Sequence, residues 1–260
     1  MRRAVLLLLP LSFACIPDEA FVLPDALVTA CEGEAPTTLR VASYNVKSGA
    51  ETSIEQVGDV IAELKPDVLA LQEVNVDFKG DDQVKTLAAR LGYPYVYAAA
   101  LSRGLTHTYG IALVSRYPLK AVRRINLRTA GAAEPRVAID ATMCLGGEEV
   151  RVLSTHADVW QPSANLEALR GELETTPSRK TIFLGDFNVE PGDGPAERIA
   201  GHGLVDLIGK LAPGPTYWPH GKRLDYLFVD RALEQRVTHA AIGPSKASDH
   251  HPIWADFAFQ

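Results

Sequence analysis

Basic residues are nowhere gathered in this 260-residue chain: Arg123-Arg124 and Lys222-Arg223 are only pairs, and the formal net charge is −6. A broad nucleic-acid footprint needs Lys and Arg to displace phosphate counterions, so that mode of binding is disfavoured. Carboxylates of a metal site add to an acidic excess and are offset locally by the ion, so the balance does not exclude a nuclease. Cysteine is scarce, at three residues, and Cys31 and Cys144 lie in no metal-ligand cluster. That argues against a thiolate metal site and against a catalytic thiol. No glycine-rich fingerprint follows the first strand-like segment, which argues against a dinucleotide-binding fold. Internal repeats and low-complexity tracts are missing. The apolar run AVLLLLPLSFA near the N-terminus falls short of the about 20 residues that a membrane-spanning helix needs.

That run follows Arg2 and Arg3 and leads into small residues, the pattern of a secretory signal. Residues 1–30 therefore read as a signal peptide, or a lipoprotein signal, plus a leader, and residues 31–260 as one folded domain. The expected location is secreted or associated with the cell envelope, in a bacterium. Cys15 follows Ser12-Phe13-Ala14, a weak lipobox that makes it a candidate lipid anchor; a cut between Ala14 and Ala30 is the simpler alternative. In an oxidising compartment Cys31 and Cys144 permit one disulfide.

What is present is an ordinary globular composition, 47% hydrophobic and 22% charged, with turn-forming proline and glycine spread along the chain. LRVASYNV alternates and reads as a strand ending in Asn45. Apolar residues at helical spacing predict a helix over 53–64, with Ser53 as N-cap and Gln56 completing a capping-box pattern. Pro66 stops it, and DVLALQEV is a buried strand. A helix at 81–91 closes on Gly92. GIALVS is a strand, and LKAVRRINL is expected antiparallel to it after the turn at Tyr117-Pro118. RVAIDATMCL and EEVRVLSTHAD are two strands around Gly146-Gly147, followed by a helix at 163–173 and the strand KTIFLGDFN. A short helix, then RLDYLFV, QRVTHAAIG and HPIWADFAF, complete the chain. Strand-helix-strand units mixed with hairpins fit an α/β four-layer sandwich, two packed mixed β-sheets flanked by helices.

Asn45, Glu73, His156, Asp186, Asn188, Asp225, Asp249 and His250 interrupt otherwise apolar strand ends. Singly, an acid there is usually a solvated turn residue and a histidine usually structural. Together they demand pairing or a metal, because buried charge is costly when left alone. They lie in the segments YNV, LQEV, STHAD, GDFNV, RLDYLF and SDHHP, in that order. This set resembles the endonuclease/exonuclease/phosphatase superfamily, the DNase I-like fold, from about residue 39 to the C-terminus. The resemblance implies that residues 31–260 are a catalytic domain, a Mg²⁺-dependent phosphoesterase with Mn²⁺ as a substitute.

By the same resemblance Glu73 is the principal metal carboxylate, with Asn45 beside it and Asp249 in the same environment. Asp186 positions or deprotonates the attacking water, and Asn188 orients the phosphate. His250 is general base or transition-state stabiliser, held by Asp225, and His156 touches the phosphate. Chemistry supports a hard ion that takes oxygen ligands and keeps several waters. A zinc site on the histidines needs three convergent ligands, and adjacent His250 and His251 would point to opposite faces of a strand. Arg136, Tyr109 and Asp158 are weaker candidates for substrate contact, each with a packing or surface alternative. Ile111 stands where many relatives carry asparagine. Trp160 and Trp218 lie near motif-bearing loops.

Two classes of substrate stay open at this level: nucleic acid, cleaved by a secreted endonuclease, and a phosphoinositide, sphingomyelin or small phosphoester. The second expects an aromatic membrane hairpin, for which YWPHG at 217–221 is the candidate. A non-enzymatic module on the same scaffold would have lost site residues, and all the principal ones are here. No obligate protein partner is evident.

Overall fold

The computed structural model describes residues 21–25, 27–104, 106–175 and 180–259. The signal segment and Cys15 lie outside the described residues. Two mixed sheets pack face to face. The first, of seven strands, runs β1 (Phe21–Val22), β4 (Tyr95–Ser102), β5 (His107–Ser115), β3 (Val68–Asp77), β2 (Thr38–Asn45), β13 (Ile253–Ala258) and β12 (Val237–Ile242). The second, of six, runs β10 (Leu204–Asp206), β11 (Asp225–Asp230), β9 (Lys180–Asp186), β8 (Glu148–His156), β7 (Arg136–Leu145) and β6 (Leu119–Leu127).

Each sheet contains one parallel pair, β2 with β3 and β8 with β9, and the other pairings are antiparallel. A parallel pair needs a crossover. Here the crossovers are α1 (Ile54–Leu64) and α3 (Pro162–Glu174). Helix α1 and α2 (Gln83–Leu91) cover the outer face of the seven-stranded sheet, where Val57, Ile61 and Leu87 meet Leu69 and Leu71. Helix α3 and α4 (Pro195–Ala200) cover the other sheet through Leu166, Leu169 and Ile199 against Phe183 and Phe228. Between the sheets lie Val41, Val68, Ile139, Val152, Ile182 and Leu227. The architecture is the expected four-layer sandwich.

Local chemistry explains the element ends. Ser53 caps α1 by accepting from the Gln56 amide, as its capping-box pattern predicts. Asp82 caps α2, and Gly92 closes it in the left-handed region. One expected pairing is corrected. β6 does not lie beside β5. After Tyr117-Pro118 the chain changes sheets, and β6 becomes the edge of the six-stranded sheet, paired with β7. Alternation along the strand gives no information about which sheet an edge strand joins. The short elements β1, β10, α5 (Leu207–Leu211), α6 (Arg231–Glu234) and a 3-10 turn at Lys47–Gly49 were not legible at their length.

Cys31 and Cys144 form a disulfide that ties the segment before β2 to the end of β7. That segment passes so close to the β7–β8 turn that a Cβ on Gly146 would stand 2.4 Å from the Ala35 nitrogen. On the same sheet, buried Arg151 makes a two-pronged ion pair with Asp140, at 2.9 Å on each arm, and Arg123 adds a third contact. Burial alone would raise the Asp140 carboxyl; the two guanidinium groups outweigh it and hold the group below its ordinary value.

A depressed carboxylate contributes stability that is present above its unfolded pKa, about 3.9, and lost as pH falls through the lower folded value. Asp140→Ala leaves the buried Arg151 charge without its carboxylate, with only the Glu172 carbonyl still bonded to it, and a loss of about 3–5 kcal/mol is expected at pH 7. Urea unfolding from pH 7 down to pH 2 checks this. The gap between variant and parent should narrow at the acid end, and a gap independent of pH would contradict the assignment.

Candidate active site

The functional side chains gather where the parallel pairs of both sheets end. In the six-stranded sheet, His156 is in register with Asp186, and Asp186 with Asp225. Three adjacent strands thus place His156, Asp186 and Asp225 in one row. In the other sheet Asn45 ends β2, and Glu73 follows its register partner Gln72. The Asn45 amide joins the rows: its Nδ2 donates to Glu73 Oε1 and to Asp186 Oδ2, both at 2.9 Å.

Backbone distortion aims these groups. Six described non-glycine residues have positive φ, and four of them are Lys47, Ser48, Glu73 and Asn188. Strain of this kind persists where the surroundings over-determine it, characteristically at functional sites. Glu73 at φ 59° is the extra residue of a bulge, since Gln72 pairs with Ile111 and Val74 with Gly110. The bulge turns its carboxylate toward the cleft, where 26% of the side chain is exposed. Gly185 allows β9 to approach β8, because a Cβ there would lie 2.0 Å from the Thr155 carbonyl oxygen. Beyond it, Asp186 Oδ1 accepts from the Asn188 amide at 2.9 Å, and Phe187 anchors the turn in the aromatic core with Phe183 and Tyr226.

His250 stands over the acidic pair. Its Nδ1 is 2.7 Å from Asp225 Oδ2, and its Nε2 is 3.6 Å from Asp186 Oδ2. Asp225 Oδ1 has no partner among the described residues, so its charge is directed through the other oxygen to the imidazole. Burial opposes charge on His250, but Asp225, Asp186 and Asp249 outweigh it and raise the ring to about 10. Burial raises Asp186 above the carboxylate range; the His250 charge opposes the rise and the Asp225 charge adds to it. His156 is the opposite case. Burial, Arg136 and His250 hold it well below its ordinary value. Its neighbours at Nδ1 and Nε2 are the Arg136 guanidinium, at 3.4 Å, and the Asn188 amide, at 3.2 Å. Both present donors, and a protonated ring can accept from neither. The carboxylates of Glu73 and Asp186, at 4.0 and 3.6 Å, are therefore polar neighbours of a neutral ring rather than ion-pair partners.

The remaining candidates divide. Arg136 is 5% exposed, touches Tyr109 Oη at 3.5 Å, and its Nε has no partner among the described residues. It and Tyr109 line the His156 side of the site. Asp249 is buried and ion-paired with Lys47 at 2.8 Å. Asp158 is held inside the loop that follows His156. It is fully buried, and its two oxygens accept from the amides of Ala133, Glu134, Trp160 and Gln161 at 2.9–3.1 Å. Ile111 is part of the inter-sheet core. His251 accepts from the Ser245 amide at 3.1 Å, away from His250. The 217–221 segment is a tight hairpin with an exposed tip and an anchored base: Tyr217 pairs with Lys222 and packs at a tilt against His250, and Trp218 Nε1 donates to the Ser248 carbonyl. Sequence reasoning missed Lys47, Thr216 and Ser248. Thr216 accepts from the Asp225 amide, and Ser248 Oγ donates to the Asn45 carbonyl. Ser248 stands inside SDHHP and was open to notice; Thr216 has no local signal.

Among the described residues, Asp186, Asp225 and His250 bring acid and histidine ligand atoms within 4.8 Å of one another. All three are buried, and Asp225 and His250 are already engaged with each other. Glu73 is the better place for a hard divalent ion, which needs oxygen donors and room for its waters: its carboxylate is oriented by Asn45 and open to the cleft.

The profile of the Endonuclease/Exonuclease/phosphatase family matches residues 42–250. Exodeoxyribonuclease III of Haemophilus influenzae is 25% identical over 275 residues, covering 84% of this chain and 100% of that protein. An endonuclease/exonuclease/phosphatase family protein from Leptotrichia buccalis superposes with a TM-score of 0.68 at 20% identity, over 85% of this chain and 100% of that one. The 3′ phosphatase NExo from Neisseria, solved with a product DNA hairpin, gives 0.65 at 20% identity over 85% and 100%. At these identities the superpositions speak to fold.

The dependence of His250 on Asp225 can be measured directly. Histidine NMR titration of the metal-free protein should show a ring still protonated above neutrality. In Asp225→Asn its midpoint should fall by more than about one unit, since one unit corresponds to about 1.4 kcal/mol. An unchanged midpoint would remove Asp225 as the cause.

Proposed function

Because the chain belongs to the endonuclease/exonuclease/phosphatase family, whose members are metal-dependent phosphoester hydrolases, we propose that it is an exported Mg²⁺-dependent enzyme that cleaves phosphodiester bonds in nucleic acid. The observation that carries the chemistry is the convergence of Glu73, Asn45, Asp186, Asp225, His250 and His156 at one end of the sandwich, linked by the Asn45 amide. Nucleic acid is favoured over lipid because the curated relative covered over its full length is an exodeoxyribonuclease. Export is supported by the Cys31–Cys144 disulfide, which persists in oxidising compartments. Nothing supports an anchor at Cys15, and it forms no part of the proposal.

A bound divalent ion supplies charge neutralisation at the phosphoryl oxygens and aids the departing oxygen. Glu73 would hold it from the open side of the cleft, with Asn45 fixing that carboxylate; Mn²⁺ can substitute for Mg²⁺ in an oxygen-ligand site. Asp186 aligns the attacking water and takes its proton. His250, kept charged by Asp225, stabilises negative charge growing on the phosphoryl group. Asn188, neutral His156 and Arg136 orient the phosphate from the other side. Two ionisable groups with environments that push them apart thereby divide acid and base duties.

The test uses the full chain and supercoiled plasmid. Nicking is expected with Mg²⁺ and abolished by EDTA. His250→Ala should be slower by roughly 10²–10⁴-fold. Intact plasmid under all conditions, with turnover of a phospholipid or inositol phosphate instead, would move the substrate to the lipid class and leave the site assignments standing.

A further inference from the structure

We propose that the Val159-Trp160 tip is a stacking platform for an unpaired base next to the scissile phosphate, so that the enzyme takes single-stranded or frayed nucleic acid in preference to closed duplex. The inference rests on the nucleic-acid reading above and adds the strandedness and the residue that sets it. Trp160 is 72% exposed and Val159 52%, the two most exposed large apolar residues described. Both follow His156 within four positions, on the loop that leaves the site.

This tip is held rigidly. The Asp158 carboxylate binds the amides of Trp160 and Gln161, Asn165 Oδ1 accepts from the Asp158 amide at 2.8 Å, and α3 begins at Pro162. An exposed ring on a fixed backbone loses little freedom on binding, which is the condition under which a single aromatic contributes most. The same carboxylate binds the amides of Ala133 and Glu134, two residues before Arg136. One buried group therefore sets the position of both the indole and the segment carrying the guanidinium. Arg136 is nearly buried, with an unpartnered Nε and with Nη1 near Tyr109 and His156 and 3.3 Å from the partly exposed Glu134 carboxylate, which an incoming phosphate would displace. An anion-seeking group and a flat apolar ring on one frame fit a phosphate followed by a planar base.

The electrostatics point the same way. A chain of net charge −6 without a basic cluster gains little from the backbone charge of a duplex. Stacking on a base is a short-range contact that adds about 1–3 kcal/mol per base whatever the surface charge around it, and is available only where bases are unpaired. A bilayer is the poorer occupant. Interfacial binding scales with the apolar area inserted, and this tip is two residues long, between buried Asp158 and polar Gln161.

The experiment compares three substrates in Mg²⁺: a single-stranded oligodeoxynucleotide, the same backbone with tetrahydrofuran in place of the nucleosides around the cleavage position, and a closed duplex. The parent enzyme should cleave the base-bearing single strand with the highest kcat/KM. Trp160→Ala should raise KM on that strand by roughly 5- to 100-fold with kcat within about 3-fold, and leave the base-free strand unchanged. Trp160→Phe should restore most of the loss. The substitution is at an exposed position, and thermal melting verifies that the fold is intact. An unchanged KM, an equal rise on both single strands, or a preference for closed duplex would overturn the proposal while nucleic-acid cleavage itself stood. A blue shift of tryptophan emission with sphingomyelin–phosphatidylcholine vesicles that is lost in Trp160→Ala, and none with the oligonucleotide, would assign the tip to a membrane and overturn it. If the parent cleaves no oligonucleotide and nicks no plasmid, the underlying reading falls with it.

Discussion

Two carboxylates, Asp186 and Asp225, face each other on adjacent antiparallel strands with almost no access to water. Like charges placed directly opposite on a sheet repel, and burial removes the water that would screen them. The arrangement holds because a third group is brought over it. His250 bonds Asp225 and lies within 4 Å of Asp186, so one imidazolium answers two acids. Most of the surrounding structure serves that placement. Thr216 fixes the backbone of Asp225, Ser248 Oγ accepts from the His250 amide, and the Tyr217 ring packs against the imidazole. The acids fix the charge of the histidine, and the histidine makes the acids tolerable.

A second constraint joins the sheets. Each contributes one parallel pair, and each pair ends at the same edge of the sandwich. Neither sheet alone holds a complete site: Glu73 belongs to one, and Asp186, Asp225 and His156 to the other. The Asn45 amide spans the gap with two hydrogen bonds to carboxylates. An amide in that position supplies donors without adding charge, where a lysine or arginine would neutralise the one carboxylate left open to the cleft. The strained φ values of Glu73 and Asn188 show where the backbone bends to serve this meeting, and the packed core under both sheets is what sustains it.

The order of motifs in the sequence carried the fold class and nearly all of the cluster, because motif residues sit at strand ends and strand ends share one edge. Helix boundaries were legible wherever a cap was, as at Ser53 and Gly92. The side of the sandwich that β6 joins was not, since Leu119–Leu127 has the same alternation whichever sheet it borders. Roles that depend on a distant partner were also hidden. Asp158 reads like any acid near a catalytic histidine, yet it is consumed by four amides from two segments. Lys47 reads as a surface residue until its ammonium is seen on Asp249. Such pairings arise from the approach of loops, on which local spacing is silent.

The acidic sum of the chain says little about the cleft. Lys47 offsets Asp249, charged His250 offsets the buried pair, and Arg136 stands near the opening with only partly exposed Glu134 as an acidic partner. Locally, then, the wall formed by His156, Tyr109 and Arg136 is positive or neutral, and Glu73 is the carboxylate left open. That polarity suits an anionic diester entering from the Arg136 side with a cation held at Glu73. A surface without basic clusters gives such a substrate no long-range attraction, so recognition must come from short-range groups at the mouth of the cleft. The rigid loop after His156 is where the fold places them.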